Sequence, residues 1–294
     1  MNQIQVRAWA KLNLSLDVTG RRDDGYHEMR MIMQSASLCD QLTVTLTEDG
    51  SFSASTNRRY LPNDDKNIAV RAARLFLTAA GLPDAGAHIA IRKRIPVCAG
   101  LGGGSADAAA VLRALNRLTG AGMTSDELRA LALQLGADVP YCVEGGTVLA
   151  TGLGEQLSPL PPLPDCHILI CKPPFPISTP VLFRRLDAAP PRHHPDTAGL
   201  IAALKAGDLS GLSRRMFNVF EFALPDRPRS EIRALCSELL DHGALGAMMT
   251  GTGSAVFGLF RSQDKAKQAR AVLASRCEAC FLVRPLQHYP EEPV

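Results

Sequence analysis

The most informative stretch of this sequence is Gly100-Leu101-Gly102-Gly103-Gly104-Ser105-Ala106-Asp107. It lies between a predicted strand at 88–95 and a predicted helix at 106–118. Glycines allow backbone N–H groups to turn toward one point, and a helix start adds free N–H donors and a positive dipole end. The stretch therefore predicts a phosphate-binding loop. The alternative is a flexible connector in which Ser105 caps the helix. Four glycines in five positions cost backbone entropy when the chain folds, and a simple connector would not need them.

Two common phosphate-binding motifs do not match this loop. No Lys-Ser/Thr pair follows the last glycine, as a Walker A motif requires. Ser105 also stands where a dinucleotide fingerprint needs glycine or alanine.

A second cluster of glycines and hydroxyls, Thr250-Gly251-Thr252-Gly253-Ser254, lies between two apolar predicted strands. Taken alone, it is typical of a hairpin turn. If it folds beside the first loop, it would form the floor of the same site.

Composition places the 294-residue chain among ordinary globular proteins, with 46% hydrophobic and 21% charged residues. The net charge of +3 is too small to argue for a nucleic-acid or membrane partner. Arg92-Lys93-Arg94 is interpreted as solvated charges at a strand end. The first 18 residues alternate apolar and polar and do not resemble a signal peptide, so we expect a cytoplasmic protein.

Eight scattered cysteines predict buried, reduced thiols and no disulfide framework. Cys277 and Cys280 form a single CxxC pair. A structural zinc site would need a second pair at suitable spacing, and none follows, so no metal site is predicted.

Four prolines between Ser158 and Asp165 mark the best candidate domain boundary, which predicts domains at 1–159 and 160–294. Helices and strands are mixed on both sides, so the fold class is α+β in two domains. The predicted strands are 4–18, 29–47, 88–95, 141–150, 167–172, two flanking 251–253, and 279–284. The predicted helices are 67–80, 106–118, one after a Thr124–Glu127 capping box, 197–206, 208–223, 228–241 and 262–275.

Three separated segments resemble the GHMP family of small-molecule kinases. They are Ala10-Lys11-Leu12-Asn13-Leu14, the segment from Pro96 through the glycine loop, and Thr250–Ser254. Their order and spacing match across the chain. The resemblance implies an N-terminal domain like ribosomal protein S5, a ferredoxin-like C-terminal domain, and an active site in the cleft between them.

Three further pieces resemble one branch of that family. They are Gly25-Tyr26-His27, Leu135-Gly136-Ala137-Asp138-Val139-Pro140, and Ile177-Ser178-Thr179-Pro180 followed by Phe183. This resemblance implies that MgATP phosphorylates the 2-hydroxyl of a cytidine-diphosphate-linked methylerythritol.

The resemblance also implies the catalytic residues. Asp138 would be the general base toward the sugar hydroxyl, and Lys11 a fixed cation beside it. Asn13, two residues from Lys11 on a strand, points to the same face and would contact the substrate or Asp138. From the residues alone, Asp138 could instead satisfy backbone N–H groups after a helix, and Lys11 could lie on a solvent face.

For the cytosine, the resemblance implies Tyr26, His27 and Phe183, because aromatic faces stack on bases; ordinary core packing is the alternative for Phe183. Thr179 would contact the diphosphate. The remaining substrate contacts would be Thr252 and Gly253.

The ATP site implied by the resemblance comprises Pro96, Gly100, Leu101, Gly102, Gly103, Gly104, Ser105 and Ala106, flanked by Lys66 and Asn67. Family members often have a second serine where this chain has Ala106. Mg²⁺ would then be held mainly by ATP oxygens and water. Asp107 suits the start of a helix without any metal role.

Two alternatives stay open. The chain could be another GHMP kinase acting on homoserine, mevalonate or a sugar, or a nucleotide-binding protein of the same fold without turnover. Lys11 and Asp138 together favour an enzyme. We expect a monomer or weak homodimer.

Overall fold

The computed structural model describes residues 2–290. The strands are β1 (Gln3–Arg21), β2 (His27–Thr47), β3 (Phe52–Thr56), β4 (Gly86–Arg92), β5 (Thr147–Gly152), β6 (Gln156–Pro159), β7 (His167–Lys172), β8 (Phe217–Asn218), β9 (Gly246–Met249), β10 (Val256–Phe260), β11 (Ala279–Val283) and β12 (Pro285–Leu286). The helices are α1 (Ile68–Ala79), α2 (Gly103–Thr119), α3 (Ser125–Leu133), α4 (Val139–Glu144), α5 (Thr179–Ala188), α6 (Thr197–Lys205), α7 (Leu209–Ser213), α8 (Phe220–Ala223), α9 (Asp226–Asp241) and α10 (Gln263–Leu273). None of the helices in this described part of the chain is long and apolar enough to cross a membrane.

The larger sheet is built on the antiparallel pair β1–β2, which runs from the pairing of Gln3 with Thr45 to that of Arg21 with His27. Its order is β3-β4-β2-β1-β8, and β5 and β12 also pair with β2. The first residues of β1 alternate exposed and buried, as predicted, but residues 8–17 are buried on both faces. Helix α2 packs against β1 and covers one of these faces. Lys11 lies inside the protein as part of this buried stretch.

The smaller sheet has the order β11-β7-β10-β9, with antiparallel neighbours throughout. Helix α9 packs on β9 and β10, and α10 packs on β7 and β11. The succession β7-α9-β9-β10-α10-β11 has the ferredoxin-like order that the resemblance implied.

The proline-rich segment 158–165 runs from the end of β6 to β7. Two later strands nevertheless return to the larger sheet: β8 pairs with β1, and β12 pairs with β2. The division at 159/160 stays a prediction, and residues 291–294 of its second part lie outside the described residues.

Several local predictions are confirmed. The predicted helix at 67–80 is α1, and Asn67 caps it by accepting a hydrogen bond from the Ala69 N–H. Thr124 and Glu127 form the predicted capping box of α3. The two strands flanking 251–253 are β9 and β10.

The predicted strand at 141–150 is wrong in its first half, where the chain forms α4. Pro140 lies in the first turn of this helix, a position that proline favours. Tyr141 is buried, and its hydroxyl bonds Ser35 and the Gly146 carbonyl, so contacts with distant residues stabilise the helical turn.

The predicted helix at 208–223 is also wrong, because β8 divides it into α7 and α8. Phe217 and Asn218 instead pair with Ser15 and Leu16 of β1. Helix α5 was not predicted, since its sequence follows a proline-rich loop.

Candidate active site

Two neighbouring cavities open at the glycine loop. The first, called the loop cavity, measures about 460 Å³. The second, called the Asp138 cavity, measures about 380 Å³ and is lined by Lys11, Asp138 and Phe183 among others. Both are lined by Gly100, Gly102, Ser105, Thr179 and Thr252. The two cavities can therefore hold two reactants on either side of the loop.

The glycine loop leads directly into α2. Gly102 precedes the helix with φ +66°, in the left-handed region that glycine favours. The first N–H groups of α2, beginning at Gly103, have no acceptor within the helix. Ser105 therefore lies in the first turn and lines both cavities, so the interpretation of Ser105 as the helix cap is wrong. Ala106 is buried and lines neither cavity.

The second glycine cluster packs against the first, as the sequence suggested. The Ala255 N–H donates to the Ala99 carbonyl at 3.1 Å, and the Thr250 hydroxyl donates to the Gly100 carbonyl at 3.4 Å. A Cβ on Gly251 would lie 2.9 Å from the Gly100 oxygen. The two backbones can approach this closely only because both positions lack side chains.

Lys11 and Asp138 meet at the wall of the Asp138 cavity. Lys11 Nζ lies 3.5 Å from Asp138 Oδ2 and donates to Asn13 Oδ1 at 2.8 Å. Asp138 precedes α4, but its side chain makes no capping hydrogen bond and is 34% exposed. The alternative in which its carboxylate satisfies the helix N–H groups is therefore wrong, and the carboxylate faces the cavity.

Asn13 ties the strand to the glycine clusters. Its backbone N–H donates to the Thr250 hydroxyl at 3.1 Å. Its side-chain amide donates to the Met31 sulfur at 3.4 Å. The Lys11 N–H donates to the Leu101 carbonyl at 3.0 Å. Asn13 is fully buried, so in this arrangement it orients Lys11.

His27 and Phe183 come together, whereas Tyr26 does not join them. The rings of His27 and Phe183 stack with centroids 4.6 Å apart. His27 Nε2 lies 2.7 Å from Asp187 Oδ1, and this hydrogen bond lowers the pKa of Asp187. Tyr26 is 63% exposed.

Thr179 and Thr252 lie where the cavities meet. Their hydroxyl oxygens are 2.7 Å apart. Gly253 lines only the loop cavity. These three residues therefore connect the second glycine cluster with the start of α5.

Lys66, Asn67 and Pro96 line the loop cavity. Both polar groups of the Asn67 side chain are already occupied, since it also donates to the Pro62 carbonyl at 2.9 Å. Lys66 is exposed at the rim.

A buried charge cluster beneath the loop was missed. Lys93 Nζ lies 2.5 Å from Asp40 Oδ2 and 2.6 Å from Asp107 Oδ2. It also reaches the Gly103 carbonyl at 3.4 Å. Burial raises the pKa of Asp107 to about 8 despite the attraction of Lys93. The interpretation of Lys93 as a solvated strand-end charge is wrong. Only its position between β4 and Pro96 could have indicated burial.

Asn218 was also missed. Its amide donates to the carbonyls of Met249 and Gly251, both at 2.8 Å. Asn218 thereby holds the backbone in place where β9 leads into the second glycine cluster. No periodicity or motif marks it in the sequence.

Two family models match the chain. The one described as GHMP kinases N terminal domain matches residues 67–146, and the one described as GHMP kinases C terminal matches residues 200–279. This chain belongs to the GHMP kinase family. The expected two-domain fold is thereby confirmed, as is its mixed helix and strand content.

Relatives of this GHMP kinase share about two fifths of its residues. The 4-diphosphocytidyl-2-C-methyl-D-erythritol kinase of Alkaliphilus metalliredigens is 43% identical over 97% of both chains. That of Lachnoclostridium phytofermentans is 42% identical over 92% of both.

Solved structures of kinases also match this chain. A crystal structure of 4-(cytidine 5'-diphospho)-2C-methyl-D-erythritol kinase matches with a TM-score of 0.80 and 35% identity, covering 96% of this chain and 99% of the other. A homoserine kinase from Cytophaga hutchinsonii matches with a TM-score of 0.76 at 23% identity, covering 98% and 96%, and shows the shared fold alone.

Proposed function

We propose that this GHMP kinase transfers the γ-phosphoryl group of ATP to the 2-hydroxyl of 4-diphosphocytidyl-2-C-methyl-D-erythritol. The products are the 2-phosphate and ADP, in non-mevalonate isoprenoid precursor synthesis. The observation that carries the proposal is the 42–43% identity, over nearly the whole chain, to kinases named for that substrate. The Lys11–Asp138 pair at the wall of the second cavity supports it.

ATP would occupy the loop cavity. The free N–H groups at the start of α2 and the positive end of its dipole favour the phosphates. Lys66 and Asn67 line the far side of this cavity and would flank the nucleoside. The γ-phosphoryl group would then lie near Ser105, where the two cavities meet.

The acceptor would occupy the Asp138 cavity. Asp138 takes the proton of the 2-hydroxyl as that oxygen bonds to the γ-phosphorus and the bond to the ADP oxygen breaks. Lys11 is buried, so its charge acts with little screening on Asp138 and on the oxygens of the transferring group. Asn13 holds Lys11 in place through the 2.8 Å hydrogen bond.

The donor set around the loop fits a magnesium ion. The sequence favoured no metal role for Asp107, but this residue lies beyond the first turn of α2. It lines the loop cavity, and its Oδ1 has no hydrogen-bond partner among residues 2–290. Ser105 offers a hydroxyl nearby. These oxygens would hold the ion with ATP phosphates and water, an arrangement that Mg²⁺ favours. The ion would neutralise phosphate charge, and a divalent cation favours the ionised form of Asp107.

The cytidine group would bind where His27 and Phe183 stack, because an aromatic face and an imidazole can hold a base. Tyr26 is exposed beside His27 and would cover the base from the solvent side. Thr179 and Thr252 would contact the diphosphate from the junction of the cavities.

A cytoplasmic location, a monomeric or weakly dimeric state, and the lack of nucleic-acid or membrane partners stay predictions from the sequence. The small net charge of +3 supports the last of these.

Phosphorus NMR tests the reaction. Purified protein incubated with MgATP and the cytidine substrate should give a new phosphomonoester and ADP. In Asp138→Asn, turnover should fall by about 10²- to 10⁴-fold, because proton transfer by a positioned base contributes that much. Nucleotide affinity should stay near that of the wild type.

The matched control is Asp241→Asn, which removes an exposed carboxylate in α9. Turnover unchanged in Asp138→Asn would refute the base assignment. ADP formation with homoserine, mevalonate or a sugar but not with the cytidine substrate would keep the kinase and overturn the proposed acceptor.

A further inference from the structure

Three cysteines meet in the smaller sheet, away from the kinase cavities. Cys171 lies in β7, and Cys277 and Cys280 form the CxxC pair at the start of β11. Their sulfur atoms all lie within 4.8 Å of one another. None of the three lines the loop cavity or the Asp138 cavity.

The backbone brings these residues together. Strands β7 and β11 are antiparallel, and Cys280 is the register partner of Cys171. The Glu278 N–H donates to the Lys172 carbonyl at 2.8 Å, which holds the chain against β7 between the two CxxC cysteines. The third thiol therefore comes from a strand more than 100 residues earlier, which is why the CxxC pair looked incomplete in the sequence.

The spacing suits a thiolate-bound metal. Zinc–sulfur bonds are about 2.3 Å, so two thiolates on a tetrahedral ion lie about 3.8 Å apart. The sulfur atoms of Cys171 and Cys280 are 3.7 Å apart. Cys171 is buried, whereas Cys277 and Cys280 are partly exposed, so an ion can reach them and water can fill a fourth position.

The cations next to the cysteines in sequence do not oppose such an ion. Arg276, beside Cys277, forms ion pairs with Glu231 and Glu238. Lys172 Nζ donates to the carbonyls of Pro173 and Phe175 at 2.7 and 3.1 Å and lies 3.4 Å from Glu278 Oε2. The Lys172 ammonium therefore points toward two carbonyl oxygens, and the Glu278 carboxylate balances its charge.

We propose that Cys171, Cys277 and Cys280 form a three-thiolate site for Zn²⁺ or a similar thiophilic divalent ion, with the fourth position open to solvent. Binding forms three metal–sulfur bonds and releases the thiol protons to the buffer, so the affinity falls with decreasing pH. The ion would link β11 to β7 near the end of α10.

A metal titration tests this site with the full chain. The protein is reduced, freed of metal with a chelator and titrated anaerobically with Co²⁺, then with Zn²⁺. Co²⁺ should produce thiolate-to-metal charge-transfer absorption that saturates at one equivalent, and Zn²⁺ should abolish it. Zn²⁺ should also raise the Tm of the wild type.

Cys280→Ser and Cys171→Ala should each lower the affinity for Co²⁺ at least 100-fold. Replacing a residue that only orients a metal ligand already lowers metal affinity by about 10- to 100-fold. Cys236→Ala, a cysteine in α9 outside the cluster, is the matched control and should titrate like the wild type. Thermal melting in chelator shows whether each variant is folded.

Two outcomes would overturn the proposal. One is the lack of charge-transfer absorption in the wild type, or equal absorption in folded Cys280→Ser. The other is a Cys171–Cys280 disulfide in the isolated protein, found by mass spectrometry, together with no Co²⁺ binding after reduction; the cluster would then be a redox pair.

Discussion

Gly102 shows how closely the glycine loop and Lys11, the proposed catalytic lysine, are packed. A Cβ at this position would lie 2.8 Å from Lys11 Cγ and 3.3 Å from Lys11 Cε. Gly102 therefore both leads into α2 and leaves room for the Lys11 side chain to reach Asp138. Gly102 thus couples the glycine loop to the proposed acceptor side of the site.

We expect Gly102→Ala to lower turnover by about 10- to 100-fold, because small displacements of a catalytic group have effects of this size. Gly120→Ala is a matched control at the other end of α2. Gly120 has φ +67° and ψ 23°, against +66° and 23° at Gly102, but no atom would lie within 4 Å of its Cβ. Both variants should lose about 1 kcal/mol of stability from the left-handed backbone. Equal turnover in the two, measured alongside urea unfolding, would contradict the steric argument.

The helices and strands around the site are joined by buried polar groups. Lys93, just after β4, holds Asp40 of β2 and Asp107 of α2 in one cluster. Glu221 of α8 accepts a hydrogen bond at 2.8 Å from the N–H of Met249, the last residue of β9. Each contact joins elements far apart in sequence, and each fixes one side of a glycine cluster.

Glu221 should make stability depend on pH. Burial raises its pKa to about 7 from the usual 4.5. The folded protein then holds a proton that the unfolded chain releases, so stability is highest below the unfolded pKa and is lost as pH rises through 7. Since the side chain is only partly buried, we expect a loss of about 1–2 kcal/mol between about pH 5 and about pH 8.

Urea unfolding across that range checks this expectation. Glu221→Gln should show a flatter pH profile than the wild type, while Glu48→Gln, an exposed carboxylate, should keep the wild-type slope. Parallel profiles for wild type and Glu221→Gln would contradict the assignment.

The two sheets are linked by the end of the described chain. After β11, the Arg284 N–H donates to the Ser37 hydroxyl at 2.9 Å, and Gln34 donates to the Leu286 carbonyl at 2.9 Å. Tyr289 then stacks near Trp9, with ring centroids 6.4 Å apart. This segment returns from the smaller sheet to the larger one and holds the two halves together.

We expect Tyr289→Ala to lower the free energy of unfolding by about 2 kcal/mol, below the ~3–5 kcal/mol of fully buried aromatic residues because Tyr289 is half-buried. His288→Ala, its exposed neighbour, should change stability by less than about 0.5 kcal/mol. Denaturant unfolding measures both. A similarly small loss of stability in the two variants would mean that Tyr289 contributes little to holding the two sheets together.

The sequence by itself determined the glycine loop as a candidate phosphate site, the second glycine cluster, and the family resemblance that made Lys11 and Asp138 candidates. The two glycine clusters are contiguous motifs whose chemistry depends on local backbone geometry, so they can be recognised without distant contacts. Lys11 and Asp138 each lie in a short motif of their own, and only the fold brings the two together. Most helix ends were likewise predictable, because capping groups such as Thr124 act within one turn.

Only the tertiary structure decided the rest. The helix at Val139–Glu144, the burial of Lys93, the support from Asn218 and the stacking of His27 on Phe183 all depend on residues far apart in the chain. The third cysteine beside Cys277 and Cys280 is another such case, since strand pairing alone brings it there. Burial and side-chain contacts arise when separate elements pack, and no local pattern in the sequence records which elements will meet.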